Sequence, residues 1–240
     1  MPYRLLDPQE AAEYLNLRPD ELERLIKDGK IPCEKRGPRV VFRRADLDAW
    51  ASRRILSDNE RGLARYDEQA TERARRRATP EIRVAELIRP GQIDAALPAR
   101  TRASVIREMV ALAERTGWVY DPAELIESLE AREELCSTAV PGGVAFLHPR
   151  VQDPYRFQES FLILGRVVQP VHFNAPDGQP TDLFFLLCTL EDPQHLPLLA
   201  RLCLLAHKTD LLEQLRAAPD AEAMHAVLVA SEQEVLDRLN

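Results

Sequence analysis

All five histidines of this 240-residue chain, His148, His172, His195, His207 and His225, fall in its C-terminal half. Histidine suits reversible chemistry near neutral pH, because its neutral ring is a nucleophile and its charge is easily tuned. His148 stands out. It ends the apolar run 144–147, which follows the glycine turn Gly142-Gly143, and a strand terminus presents a side chain at the rim of a sheet. Pro149 and Arg150 then turn the chain away. On spacing alone, a strand-end histidine is more often structural than catalytic. His148, His172 and His195, with Glu191 or Asp192, contain enough ligands for zinc. No short ligand spacing supports that set, so no metal is expected. His207 and His225 sit in helical patterns as surface or core residues. The four cysteines, Cys33, Cys136, Cys188 and Cys203, form no CxxC pair and read as free thiols, with Cys188 and Cys203 in apolar runs.

These residues need elements to hold them. From residue 81 onward, helical and strand patterns alternate. Apolar residues at helical spacing mark 102–115 and 122–135. Strand candidates lie at 144–147, 160–164 and 182–188, with a turn at Asp177-Gly178. Three helices follow, at 194–207, 211–217 and 221–239. About 160 residues are enough for one α/β core.

Upstream the composition changes. Residues 1–56 carry 12 Lys/Arg against 10 Asp/Glu, residues 57–80 carry 6 against 5, and residues 81–240 carry 14 against 24. A mildly basic first segment suits nucleic acid, which the acidic remainder would repel. Leu56, Leu63 and Ala70 recur every seven residues between the two. Three positions are too few for a coiled coil, and with the arginines at 73 and 75–77 the stretch 57–80 reads as a charged, solvated helical linker. No run is apolar enough to span a membrane, and Arg4, Asp7 and Glu10 interrupt any signal-peptide core, so a cytoplasmic protein is expected.

The first segment reads as helix, turn, helix, hairpin, helix. Asp7 can cap the first helix, Pro8 suits its first position, and Glu10 can complete a capping box. Pro19 opens a second helix with Leu22, Leu25 and Ile26 on one face, and Asp28-Gly29 stops it. Gly37-Pro38 turns a hairpin, and a third helix carries Leu47 and Trp50. Leu5–Leu15, Leu25–Pro32 and Arg44–Trp50 resemble the excisionase-like branch of the MerR-type winged-helix family. That resemblance implies a second helix in the major groove and a wing on the backbone. Arg18, Arg24 and Lys27 on the helix, with Lys35, Arg36, Arg39 and Arg43 on the wing, are then the DNA-binding candidates. Asp20, Glu21 and Glu23 depart from the pattern by placing carboxylates near the groove. A winged helix that binds protein instead is the alternative.

A second resemblance concerns the histidines. Ala131–Val140, Gly143–Arg150 and Pro170–Leu187, with His195-Leu196 and the leucines after it, resemble enzyme IIA of the phosphoenolpyruvate-dependent phosphotransferase system, of the fructose, mannitol and nitrogen-regulatory type. The likeness covers nearly all of 81–240. It implies a mixed sheet between helices, a phosphoryl group accepted on His148 from an HPr-like carrier, His195 beside it, and Arg132 holding the phosphate. A neutral imidazole attacking in line and an arginine fork on the phosphate oxygens fit that chemistry. No cofactor is needed, since phosphoenolpyruvate is the ultimate phosphoryl source. Three departures are visible. Leu147 and Pro149 replace the family's Pro and Gly around the histidine, and Pro149 removes a backbone donor. Cys136 stands where the family has Gly, and His172 where it often has Asp.

The expected architecture is therefore α+β: a winged helix-turn-helix over 1–56, a linker over 57–80, and an enzyme IIA-like α/β sandwich over 81–240. The expected function is a phosphotransferase-linked regulator that couples phosphorylation of His148 to binding of double-stranded DNA, without membrane insertion and as a homodimer on two half-sites. Two alternatives remain: a sugar IIA phosphocarrier passing phosphate to a IIB-type acceptor, and a non-catalytic IIA-like scaffold.

Overall fold

A computed structural model describes residues 5–76, 83–150, 155–190 and 192–239, with the side chains of 192, 193, 238 and 239 excepted. It begins with strand β1 (Leu5–Leu6) and helices α1 (Pro8–Tyr14) and α2 (Pro19–Lys27). Asp7 accepts from the Glu10 amide at 2.8 Å while Glu10 accepts from the Asp7 amide at 3.0 Å, closing the capping box that the sequence predicts. Gly29 ends α2 at φ 63°, a left-handed conformation that favours glycine. The wing is β2 (Glu34–Arg36) and β3 (Arg39–Arg43), and β1 adds to β3 in a three-stranded sheet. Helix α3 (Arg44–Leu56) completes the winged helix and α4 (Glu60–Arg76) follows.

The second sheet has five strands in the order β4 (Ile93–Leu97), β7 (Phe161–Val171), β8 (Thr181–Cys188), β6 (Val144–Leu147), β5 (Ala139–Val140). It is mixed: β4 with β7 and β6 with β8 are parallel, the other two pairs antiparallel. Helices α5 (Arg102–Glu114) and α6 (Pro122–Leu135) cover one face. Helices α7 (Asp192–Lys208), α8 (Leu211–Ala217) and α9 (Ala221–Leu239) cover the other. The period of two along the strands decides which residue goes where. Val144 and Phe146 of β6, with Leu183, Phe185 and Leu187 of β8, join the α7 side. Ala145, Leu147, Phe184 and Leu186 join the α5–α6 side. Strand β7 runs past the expected 160–164 to Val171, because its pairing with β8 continues through Gly165 and Arg166 and resumes at Val171 after a register shift.

Helix α4 departs from the solvated linker that its charge suggests. It packs along α7. Leu56, Leu63 and Ala70 are all buried, so the heptad spacing marks a packed face. Within that face Arg201 of α7 donates to Asp67 at 2.9 and 3.2 Å and to Thr71 at 3.1 Å. Both ions are almost fully buried, and such a pair fixes register more than it adds stability. Arg73 ties the far end of α4 to the end of α1, donating to the carbonyls of Ala12, Glu13 and Leu17. Of the arginine run, Arg75 and Arg76 are exposed, and Arg77 lies outside the described residues. The winged helix, α4 and the α7 side of the sheet share one continuous apolar core, from Leu15, Phe42 and Leu47 through Leu63 to Leu199 and Phe185.

Candidate functional site

Strand alternation carries on for one residue beyond β6. Position 148 follows Val144 and Phe146 toward α7, whose first turns carry His195. The two imidazole centroids are 5.2 Å apart and tilted by 52°. Arg132, in the last turn of α6, reaches the same point: its Nε donates to His148 Nε2 at 3.0 Å. Its Nη1 donates to the carbonyl oxygen of Cys136 at 3.0 Å and lies 3.3 Å from the Cys136 sulfur. The structure thus brings together His148, His195 and Arg132, three residues from three elements that the sequence singles out. All three are at most 2% exposed.

The hydrogen bonds determine the tautomer. A guanidinium can only donate, so His148 Nε2 must accept, and the ring proton lies on Nδ1. Nδ1 donates to the Phe146 carbonyl at 2.9 Å. Burial is the main cause that holds the His148 pKa well below its usual value, with the charges on Arg132 and His195 adding to it. His195 is lowered to about 3, by burial first and then by Arg132 and Arg44. Both rings are neutral at physiological pH. Arg132 Nη2 and His195 Nδ1 are buried with no hydrogen-bond partner among the described residues. The site therefore offers one nucleophilic nitrogen, one buried cation and two polar atoms without partners, which suits an incoming anion.

Arg44 of the winged helix is a buried cation that the sequence reading did not single out. It lies in the first turn of α3, is 7% exposed, and its charge acts on His195. No local pattern could reveal it, since its relation to His195 spans the whole chain. Around the site Glu133 accepts from the Thr138 amide and hydroxyl, the latter at 2.6 Å, which fixes the turn between α6 and β5. Burial raises the Glu133 pKa. Pro149 is buried, immediately after His148, and supplies no N–H.

The remaining candidates lie elsewhere. His172 is exposed beyond β7, and no cluster of three metal-ligating side chains exists among the described residues. Glu191 and the Asp192 side chain, named with that set, lie outside them. His207 is exposed and His225 Nε2 lies 3.1 Å from the Ile88 carbonyl oxygen. The four cysteines are free. On the winged helix, Arg18, Arg24, Lys27, Lys35, Arg36, Arg39 and Arg43 are all exposed. Arg18 pairs with Asp20 at 3.0 Å and Arg54 pairs with Glu21 at 3.1 Å, so two of the three carboxylates at the start of α2 are compensated. Arg36 and Arg43 share Glu34. No helix among the described residues is long and apolar enough to cross a membrane.

A mixed sheet between helix layers, carrying a paired-histidine site and fused to a winged helix-turn-helix, defines a two-part α/β protein. Residues 86–231 match the family described as the phosphoenolpyruvate-dependent sugar phosphotransferase system EIIA 2, and residues 5–55 match a helix-turn-helix domain. The chain belongs to that EIIA 2 family. It is 35% identical over 148 residues to a nitrogen regulatory protein of Bradyrhizobium diazoefficiens, which covers 60% of this chain and 94% of the relative. A nitrogen regulatory protein of Pseudomonas aeruginosa is 31% identical over 150 residues, covering 62% and 96%. The crystal structure of the nitrogen regulatory protein IIA-Ntr from Neisseria meningitidis superposes with a TM-score of 0.55 at 29% identity, covering 60% of this chain and 98% of that one.

Proposed function

We propose that this chain is a phosphotransferase-linked regulator that accepts a phosphoryl group on His148 and couples it to DNA binding by the winged helix. The observation that carries the reading is the fixed tautomer of His148, which leaves the Nε2 lone pair between Arg132 and His195. The donor is a phosphohistidine on an HPr-like carrier protein. Nε2 attacks phosphorus in line, the N–P bond of the donor breaks, and the donor imidazole leaves with the electron pair. His148 keeps its Nδ1 proton, so no proton moves. Arg132 gives up the Nε2 contact and turns its fork to the phosphoryl oxygens, and His195 donates a hydrogen bond without adding charge.

The exposed basic residues of α2 and the wing support the DNA-binding half of the reading, with the wing on phosphates and α2 in the groove. They remain exposed while α3 and α4 pack on α7, so the two surfaces of the winged helix are separate. That packing supports coupling through docking of the winged helix rather than through repulsion of DNA by the phosphate. The protein-docking alternative draws on the same packing, because the winged helix already docks on its own chain.

The test mixes the full chain with phosphoenolpyruvate, the first phosphotransferase enzyme and HPr, and measures intact mass beside His148→Ala. Gain of one phosphoryl group by the parent alone supports the reading. No gain, with a competent IIA protein as positive control, overturns it in favour of a scaffold. Passage of the group on to a IIB-type protein would favour the carrier reading.

A further inference from the structure

Away from the histidines, a cavity of about 720 Å³ opens between the turn joining α1 to α2, helix α4, and the C-terminal half of α9. Its lining is cationic. Seven of the described residues that line it are arginines, and two, Glu68 and Glu72, are acids. Leu236 is the single apolar side chain among them, and none is aromatic.

Part of this charge is matched within the fold. Arg18 pairs with Asp20, Arg76 with Glu72, and the buried Arg201 with Asp67. Arg65, Arg75 and Arg83 are exposed, and none of them has an ion pair among the described residues. Glu68 offsets one of the three. Glu232, whose charge acts together with that of Arg83, already accepts from the amides of Val84 and Ala85 at 2.7 Å each.

Like charges gathered around a concave surface raise its potential and attract anions. Guanidinium forks match phosphoryl oxygens in geometry as well as in charge. The volume falls in the range of small-molecule sites, about 300–1,000 Å³. A lining without aromatic rings offers no stacking surface for a nucleobase, and one leucine offers little to an acyl chain. A convex duplex would meet the rim without filling the cavity.

We infer that this cavity binds a small anion carrying two or more phosphoryl groups, with Arg65 and Arg75 of α4 and Arg83 as its ligands. His148 does not line the cavity, so the inference is independent of the phosphoacceptor reading. Arg18 both lines the cavity and precedes the first residue of α2, which places the site beside the DNA-binding candidates.

The experiment titrates the full chain calorimetrically with inorganic tripolyphosphate and with a hexose 1,6-bisphosphate. The two arms separate condensed phosphate from a phosphorylated sugar as the source of the same chemistry. The parent is expected to bind at least one of them at one site per chain, more weakly as salt is added. Arg65→Gln with Arg75→Gln weakens that binding by about tenfold or more, as loss of charge-assisted hydrogen bonds implies. Arg107→Gln with Arg115→Gln removes the same charge from exposed positions on and just after α5, and leaves the binding unchanged. All four side chains are exposed, so both double variants keep the fold. Binding of neither anion by the parent, or equal weakening by the two double variants, overturns the proposal. So does a parent that binds duplex DNA but neither anion, with the α4 variant weakening the duplex: α4 would then extend the DNA surface.

Discussion

Arg132 donates to His148 Nε2 at 3.0 Å, so the lone pair that would attack phosphorus is held by the group that would then neutralise the phosphoryl oxygens. Arg132→Gln frees the nitrogen and removes the cation. Loss of one preorganised charge of this kind lowers a rate by about 100-fold or more. Arg132→Lys keeps a charge but not the fork that also satisfies the Cys136 carbonyl. Both variants are expected to take up phosphate much more slowly, with Lys between Gln and the parent. Rates of phosphoryl uptake by intact mass check the order. An Arg132→Gln protein phosphorylated at the parental rate would show that the contact has no role in transfer.

The two buried histidines make stability depend on pH. Unfolded, each takes up a proton near pH 6.5, whereas His195 in the folded chain does so only at about 3, and His148 is also lowered. Below pH 6.5 the unfolded chain binds more protons, so stability is full above that value and falls as the pH drops toward the folded pKa. With a folded pKa of about 3, the His195 ring costs about 1.4 kcal/mol at pH 5.5, and His148 acts in the same direction. Glu133 and Glu232, both raised by burial, have the opposite sign: they stabilise at low pH and lose that contribution as the pH rises through their folded values. Urea midpoints of the parent and His195→Gln at pH 7.5 and 5.5 isolate the histidine share. The parent should lose more stability than the variant over that interval, and parallel losses would contradict a buried neutral ring.

The ion pair between Arg201 and Asp67 makes a third prediction. Asp67→Asn removes the carboxylate that pairs with the buried Arg201 guanidinium, which also lies 4.0 Å from Glu232. Removing one partner of such a pair costs about 3–5 kcal/mol, whereas replacing both with apolar residues of similar volume is often near neutral. Denaturation of Asp67→Asn, Arg201→Met and the double variant Asp67→Leu with Arg201→Met should therefore show the double variant to be the most stable of the three. If it is the least stable, the pair contributes to stability itself rather than to register.

Local pattern made much of this molecule legible. The capping box at Asp7 and Glu10, helices α6, α8 and α9, and the strand before His148 follow from spacing and turn residues that act within a few positions. The triad of His148, His195 and Arg132 came from family resemblance, because three residues on three elements share no spacing. The packed face of α4 was hidden by its charge, since Asp67 looks solvated until Arg201 meets it across the fold. Arg44 was hidden for the same reason: a charged residue at a helix start reads as surface, whereas the fold buries it beside Tyr14 and Asp48.

The exposed basic residues of the winged helix divide into two groups with different expected behaviour. Lys35 and Arg39 lie on the wing, where contacts fix position without reading sequence. Arg24 and Lys27 lie on the outer face of α2, which in this motif meets base edges. Lys35→Gln with Arg39→Gln should weaken binding to every duplex alike and reduce the salt dependence by about one counterion for each lost phosphate contact. Arg24→Ala or Lys27→Ala should instead narrow the difference between the preferred duplex and a random one, by about 1–3 kcal/mol for a lost bidentate contact. Fluorescence anisotropy across a salt series, with duplexes selected from a random pool by the full chain, separates the two effects. Should the selection enrich nothing, and the wing variants bind as the parent does, the winged helix has lost DNA as a partner. Its remaining role would be the docking on α7 that the structure already contains.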